Sequence, residues 1–199
     1  MDTSSFAETR SSPGSPLLLL FHGTGGDEHQ FMGVGQQLLP GAHLIAPRGD
    51  VSENGALRYF RRKAEGVFDM DDLARATDKM AGFIQTTVDA MQPGMVAAMG
   101  YSNGANILAS ILFAHPALID RAVLMHPLIP FAPAPQPGLA GMKVLVTAGR
   151  RDPIGPAATT EALIDWFTAQ GAEVTPLWHD GGHELRQEEM LAARDFLSP

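Results

Sequence analysis

The stretch Ala98–Asn106, with the sequence AMGYSNGAN, decides the fold. An apolar run passes through Gly-Tyr-Ser-Asn-Gly into a segment with helical periodicity, which predicts a sharp turn from a buried strand into a helix. Ser102 would lie at the tip in strained backbone geometry, with a glycine on each side where neighbouring backbone passes closely. Such a nucleophile elbow presents a hydroxyl beside the free N–H groups of the helix. An ordinary Gly/Ser/Asn turn is the alternative, and the rest of the chain decides between them.

The composition predicts one acidic globular domain. The chain has 199 residues, 45% of them hydrophobic, a net charge of −8 and no cysteine. This charge disfavours nucleic acid and anionic membrane surfaces as partners, and the lack of cysteine excludes disulfides and thiolate chemistry. The apolar run Leu17–Phe21 is too short to span a bilayer, and Met1-Asp2 is not the start of a signal peptide. We therefore expect a cytoplasmic protein, monomeric or homodimeric, without stable membrane insertion.

Strand and helix patterns alternate along the chain, which predicts an α/β fold with a mostly parallel central sheet of about six to seven strands and helices on both faces. Residues 1–199 form a single domain in this interpretation. Residues 1–16 are a loose N-terminal arm with an edge strand near 6–10, and residues 48–70 form a long loop that lines the pocket. The predicted strands are 17–21, 43–46, 95–99, 122–125, 143–147 and 173–178, and the predicted helices are 27–39, 71–91, 103–114, 159–169 and 184–197.

The residues that follow these strands include the types needed for acyl transfer. Ser102 follows one strand, Asp152 lies after a later strand, and His183 follows the last. Parallel strands bring their carboxyl ends to one edge of the sheet, and a nucleophile, an acid and a histidine in this order match the triad of an α/β-hydrolase. His183 would take the Ser102 proton while Asp152 fixes the imidazole tautomer. The backbone N–H groups of Thr24 and Asn103 would form the oxyanion hole.

Two other assignments stay open at this point. Asp180 competes with Asp152 as the acid, although its position three residues before His183 makes the geometry awkward. The remaining six histidines are expected to be structural or surface residues, with His126, at a strand end, the one that remains a candidate. The pairs Asp71-Asp72 and Glu188-Glu189 are interpreted as helix-end or solvated charges and not as paired catalytic carboxylates.

On these motifs the chain resembles the carboxylesterase/phospholipase family of small serine α/β-hydrolases, which includes relatives of the acyl-protein thioesterases. The resemblance covers nearly the whole chain and rests on residues 22–26, 100–104, 149–153 and 181–183. Within that family, residues 102–106, 58–62 and 65–69 are most similar to bacterial hydrolases associated with quinone or copper stress. Family members that are thioesterases commonly carry Gly-Phe-Ser-Gln-Gly at the elbow, from which Tyr101 and Asn103 depart.

The loop of residues 48–70 offers candidates for substrate binding. Tyr59 and Phe60 would bound a short acyl site, and Arg61 would favour esters that carry a negative charge. The basic residues of this loop could equally face water or pair with Glu65 and Asp69.

Together these features predict a serine carboxylesterase that hydrolyses small carboxylic esters, or thioesters, through an acyl-enzyme at Ser102. No cofactor and no metal is expected, and the partner is a small-molecule ester. A dienelactone-hydrolase-like or C–C-bond hydrolase on the same triad is one alternative. A catalytically silent binding or regulatory module on a hydrolase fold is another.

Overall fold

The computed structural model describes residues 5–198. Its centre is a seven-stranded sheet with the order β1-β3-β2-β8-β9-β10-β11, in which β1 runs antiparallel to β3 and the other neighbours are parallel. Two hairpins, β4/β5 and β6/β7, lie outside this sheet. The strands are β1 (Phe6–Thr9), β2 (Leu17–Phe21), β3 (His43–Pro47), β4 (Val51–Glu53), β5 (Ala56–Arg58), β6 (Arg62–Ala64), β7 (Val67–Phe68), β8 (Val96–Tyr101), β9 (Arg121–Met125), β10 (Lys143–Gly149) and β11 (Glu173–His179).

Helices cover both faces of the sheet, as the alternating pattern predicts. Strand β2 is fully buried, with Leu17, Leu19 and Phe21 in one apolar cluster and Leu18 and Leu20 in the other. The first cluster packs under three helices and the second under two, so the central strands carry apolar residues on both faces. The helices are α1 (Met32–Leu38), α2 (Met70–Met91), α3 (Asn103–Ala114), α4 (Ala157–Ala169) and α5 (Gln187–Leu197). Among residues 5–198, none of these helices is both long and apolar enough to cross a membrane.

Two helices start later than the sequence pattern predicts. The prediction of a helix from residue 27 is wrong because the Gln30 side chain accepts a hydrogen bond from Gly23 N (2.8 Å) and does not cap a helix. Residues 27–31 are turns that hold the loop after β2. Helix α5 begins at Gln187 and not at Glu184, because Glu184 accepts a hydrogen bond from Gly182 N (3.0 Å) within the preceding loop.

The two segments expected to be irregular both contain strands. In the arm of residues 1–16, β1 is the expected edge strand, and residues 1–4 lie outside the described residues. Residues 48–70 are not one open loop, because they form the hairpins β4/β5 and β6/β7 and end where Asp69 caps α2. These hairpins sit beyond the carboxyl end of β3, on the same side of the sheet as the elbow.

Candidate active site

The turn between β8 and α3 has the geometry of a nucleophile elbow. Ser102 has φ 53° and ψ −117°, a left-handed backbone conformation that L-residues seldom adopt. A Cβ atom on Gly100 would lie 2.3 Å from Gly104 O, and one on Gly104 would lie 2.3 Å from Phe21 O. Both positions therefore require glycine, and the close packing holds Ser102 in its strained conformation.

Ser102, His183 and Asp152 form a continuous hydrogen-bonded chain. His183 Nε2 lies 2.8 Å from Ser102 Oγ, and His183 Nδ1 lies 2.6 Å from Asp152 Oδ2. The carboxylate can only accept, so Nδ1 carries the proton and Nε2 is left to accept from the serine hydroxyl. Asp180, the competing acid, is exposed, and its backbone carbonyl accepts a hydrogen bond from Arg151. The structure thus places Asp152 and not Asp180 on the imidazole.

Asp152 is a buried carboxylate with four hydrogen-bond donors. Oδ1 accepts from Ile154 N (2.8 Å) and Gly155 N (2.9 Å), and Oδ2 accepts from His183 and from His126 Nδ1 (3.0 Å). Burial favours the neutral acid, but the bonds from Gly155, His183, His126 and Ile154 outweigh it and hold the pKa of Asp152 below its usual range. The acid is therefore ionised at neutral pH.

The proposed oxyanion donors lie on two elements that touch. Asn103 is the first residue of α3, so no helical carbonyl lies four residues before its N–H group. Thr24 follows β2 and borders the same cavity. His22 shapes this loop, because its Nε2 accepts from Gly49 N (2.9 Å) and its Nδ1 therefore donates to Gly23 O (2.8 Å). Burial lowers the pKa of His22, which fits this neutral form.

A cavity of about 230 Å³ opens beside Ser102 and His183. A larger hollow of about 450 Å³ lies between residues 129–133 and α4, but no acid, base or nucleophilic serine borders it. The chemistry therefore points to the smaller cavity. Its walls are formed by Thr24, Arg58, Arg62, Glu65, Gly66, Phe68, Tyr101, Ser102, Asn103, Asn106, Leu128, Ile154 and His183.

The side chains predicted to bind substrate are not those that line this cavity. Tyr59 and Phe60 are 2% and 0% exposed, and the Tyr59 hydroxyl donates to Pro47 O (2.7 Å) within the core. The Arg61 side chain is 64% exposed and pairs with Asp72 (3.1 Å) outside the cavity. Residues 59–60 form a bend between β5 and β6, and Arg58 and Arg62, on either side of it, are the arginines of this segment that border the cavity.

The chain is similar to known proteins named as hydrolases and carboxylesterases. The chain is 42% identical over 182 residues to the protein named "Putative hydrolase MhqD" of Bacillus subtilis (strain 168), across 90% of this chain and 91% of that protein. It is 35% identical to the crystal structure of the Bacillus cereus carboxylesterase, with a TM-score of 0.90, covering 98% of this chain and 93% of that one. The structure of YahD with malic acid is 27% identical, with a TM-score of 0.89 and 98% of both chains covered. No family model matches.

The chain belongs to the esterase/hydrolase family of small α/β-hydrolases.

In this hydrolase, the two elbow residues that depart from Gly-Phe-Ser-Gln-Gly each make a hydrogen bond to a neighbouring segment. The Tyr101 hydroxyl, which phenylalanine lacks, donates to His183 O (2.7 Å) and joins the elbow to the loop that carries His183. The Asn103 side-chain oxygen accepts from Tyr59 N (2.8 Å), joining the start of α3 to the hairpin segment. Both departures thus connect the nucleophile to neighbouring loops.

The hydrolase also contains a buried polar cluster that the sequence did not reveal. Glu189 lies in the first turn of α5, at a helix end as expected, but it is 0% exposed and therefore not solvated. Its carboxylate lies 3.0 Å from His126 Nε2 and 3.3 Å from His179 Nε2, and it accepts from Thr147 Oγ1 (2.5 Å). Residue spacing gave no sign of this cluster, since its members come from four separate elements.

His126, His179 and Glu189 are close enough together to surround a cation, so we tested whether they suit one. His179 Nδ1 accepts a hydrogen bond from Gly181 N (3.0 Å), which places the ring proton on Nε2. A metal bound at Nε2 would require the proton on Nδ1, where it would oppose the Gly181 N–H group. The donor set therefore suits a hydrogen-bonded cluster.

Proposed function

We propose that this hydrolase is a serine carboxylesterase that cleaves small carboxylic esters through an acyl-enzyme on Ser102. The single observation that carries the proposal is the Ser102–His183–Asp152 chain, with contacts of 2.8 and 2.6 Å at the edge of a small cavity. Family membership supports ester hydrolysis in general, and this geometry supports the serine mechanism.

The reaction would proceed in two halves. Ser102 Oγ attacks the ester carbon while His183 Nε2 takes the hydroxyl proton, and the carbonyl oxygen becomes an oxyanion facing the N–H groups of Thr24 and Asn103. The intermediate collapses, and His183 returns the proton to the departing alcohol. A water molecule then repeats the sequence on the acyl-enzyme, which releases the acid and restores the serine. Asp152 stays ionised throughout and stabilises the imidazolium.

The size of the cavity supports a small substrate. Its volume of about 230 Å³ lies below the ~300–1,000 Å³ typical of drug-sized ligands. A short acyl chain with a small alcohol fits this space better than a lipid chain. The structural relative YahD was solved with malic acid, itself a small molecule.

The charge in the cavity supports a substrate that carries a carboxylate. Arg58 is 4% exposed, yet within residues 5–198 its guanidinium makes only two hydrogen bonds, to Thr24 Oγ1 (2.8 Å) and Phe60 O (3.2 Å). Glu53, at 3.5 Å, is held more closely by Arg62, at 2.9 Å. Burial lowers the pKa of Arg58, but a guanidinium remains charged. A carboxylate on the substrate would pair with this cation.

A fluorophosphonate probe and an ester panel would test the proposal together. We expect the probe to label the wild-type protein at Ser102 and not to label Ser102→Ala. We also expect turnover of ethyl esters to fall as the acyl chain grows beyond about four carbons. A labelled protein that cleaves a dienelactone or a C–C bond but no ester would assign the triad to another reaction. A protein that neither labels nor turns over any member would be a binding module.

A further inference from the structure

A second histidine, His126, contacts the same oxygen of the catalytic acid as His183. Its Nδ1 is 3.0 Å from Asp152 Oδ2, the oxygen that also binds His183, and the rings of the two histidines are 5.2 Å apart. The exposed fraction of His126 is 1%, so the contact is shielded from water. One oxygen of the catalytic carboxylate therefore contacts two imidazoles, that of His183 at the cavity and that of His126 in the core.

The other nitrogen of His126 also faces a carboxylate, because Nε2 lies 3.0 Å from Glu189 Oε1. A neutral imidazole has one N–H group and one lone pair. Either neutral tautomer would direct that lone pair at a carboxylate oxygen, which is repulsive. When both carboxylates are ionised, only the doubly protonated ring donates to both oxygens, so this geometry favours an imidazolium. His179 Nε2, 3.5 Å from His126 Nε2, is the other polar neighbour of that nitrogen.

The surroundings of Glu189 keep it in the ionised form. Its Oε2 accepts from Arg186 N (2.7 Å) and its Oε1 from Thr147, and His179 Nε2 lies 3.3 Å from Oε2. Burial opposes charge on both partners, but hydrogen bonds outweigh it, so the pKa of His126 is raised and that of Glu189 is lowered. The titratable groups around His126 are Asp152, Glu189, His179, His183 and Tyr101.

The backbone at His126 is itself strained. Like Ser102, it has a positive φ, here 51°, and its N–H group donates to Thr147 O (2.8 Å). Strain of this kind persists only where surrounding contacts enforce it, and it concentrates at functional sites. The strained conformation directs the ring between the two carboxylates.

We infer that His126 is a buried imidazolium, held by Glu189, that positions the Asp152 carboxylate for His183. This inference rests on the proposed function, in which Asp152 is the acid of the triad. His126 supplies the fourth donor to Asp152 and completes its orientation, and Glu189 balances the positive charge. His126 touches neither substrate nor reacting atoms, so it is a positioning residue.

Imidazole nitrogen NMR on the wild-type protein tests the charge directly and needs no enzyme activity. We expect both His126 nitrogens to stay protonated across the neutral pH range. In Glu189→Gln, His126 loses one carboxylate partner and should begin to titrate within that range. A neutral His126 in the wild-type protein at neutral pH would overturn the inference.

Kinetics of His126→Ala and His126→Asn separate the hydrogen bond from the charge. We expect His126→Ala to lower kcat by about 10- to 100-fold with KM unchanged within about twofold. Asparagine places an amide donor where Nδ1 was and tolerates a positive φ, so His126→Asn should recover most of kcat. Both variants remove a cation near His183, so the acid limb of the pH–rate profile should move to higher pH.

The matched control is His43→Asn, the same change at a buried histidine on the opposite end of the sheet. It should lower the melting temperature without moving the pH profile. An unchanged acid limb in both His126 variants would contradict the inference, and so would loss of turnover in EDTA that a divalent metal restores. If His126→Ala does not fold, the pH–rate profile of His126→Asn and the NMR of the wild-type protein still test the inference. A wild-type protein with no ester turnover would refute the proposed function, while the NMR would still read the charge of His126.

Discussion

Ser102 and His183 border the same cavity as the hairpin segment of residues 48–69, but different structures position them. Ser102, Asp152 and His183 follow strands β8, β10 and β11. The topology of the sheet therefore brings them to the same edge, independently of the helices that connect these strands. Arg58 and Arg62 reach the cavity from the hairpins, where moving one residue along the strand exchanges the inner face for the outer. Positions fixed by topology can be predicted from strand order, whereas positions on a hairpin need the register.

The largest expected effect tests the part that topology fixes. Asp152→Asn should lower kcat by about 10,000-fold, because the amide cannot hold His183 in the tautomer that accepts the serine proton. Asp180→Asn is the matched control and should change kcat by less than about tenfold, since that side chain is exposed. Steady-state kinetics on one ethyl ester would measure both. Equal losses in the two variants would mean that strand order had not identified the acid.

An intermediate effect tests the hairpin register. Arg58→Met should lower the ratio of kcat/KM for monoethyl succinate to that for ethyl butyrate by about 10- to 100-fold, because it removes the buried partner of the extra carboxylate. Arg61→Met removes an arginine that is 64% exposed and paired outside the cavity, so the ratio should stay within about twofold.

A pH-stat assay can follow both esters, and the neutral ester controls for any general loss of stability in Arg58→Met. If Arg61→Met changes the ratio and Arg58→Met does not, the register in solution places the other face of the hairpin segment toward the substrate.

The smallest effect concerns the bond that joins two strand ends. Tyr101→Phe removes the hydroxyl that donates to His183 O (2.7 Å) and should destabilise the protein by about 1 kcal/mol, or roughly 2–4 °C in Tm. We expect kcat to fall by a factor of about 2 to 10, because His183 is held less firmly. Thermal unfolding and steady-state kinetics on the same preparation would measure the loss of stability and the fall in kcat. A larger loss than that of Asp152→Asn would mean that this bond, and not sheet topology, positions the base.

The sequence contained enough information to predict the sheet, the elbow and the strand-end residues. Gly100 and Gly104 flank Ser102 in a pattern that allows few structures, and apolar runs as clear as Leu17–Phe21 mark buried parallel strands. The start of α1 was predicted wrongly because Asp27 and Gln30 have capping-box spacing, while tertiary contacts direct Gln30 to Gly23. Local spacing cannot show which partner a side chain will find.

Glu189 shows the same limit for the site itself. It follows another glutamate in an amphipathic helix, where exposure is the usual outcome for a carboxylate. It is buried because His126, His179 and Thr147 arrive from three other elements and satisfy its oxygens. That compensation depends on non-local contacts, which neither residue type nor periodicity encodes.

The close approach of Gly104 to Phe21 and His22 has a mechanical consequence. The first turn of α3 rests on the backbone at the end of β2, so the two N–H groups proposed to receive the oxyanion belong to parts of the chain in direct backbone contact. Their separation is set by a stiff contact between main chains and not by the closing of a flexible lid. The electrostatic environment of the reaction is thus built during folding, and little reorganisation energy is left to be supplied when a substrate arrives.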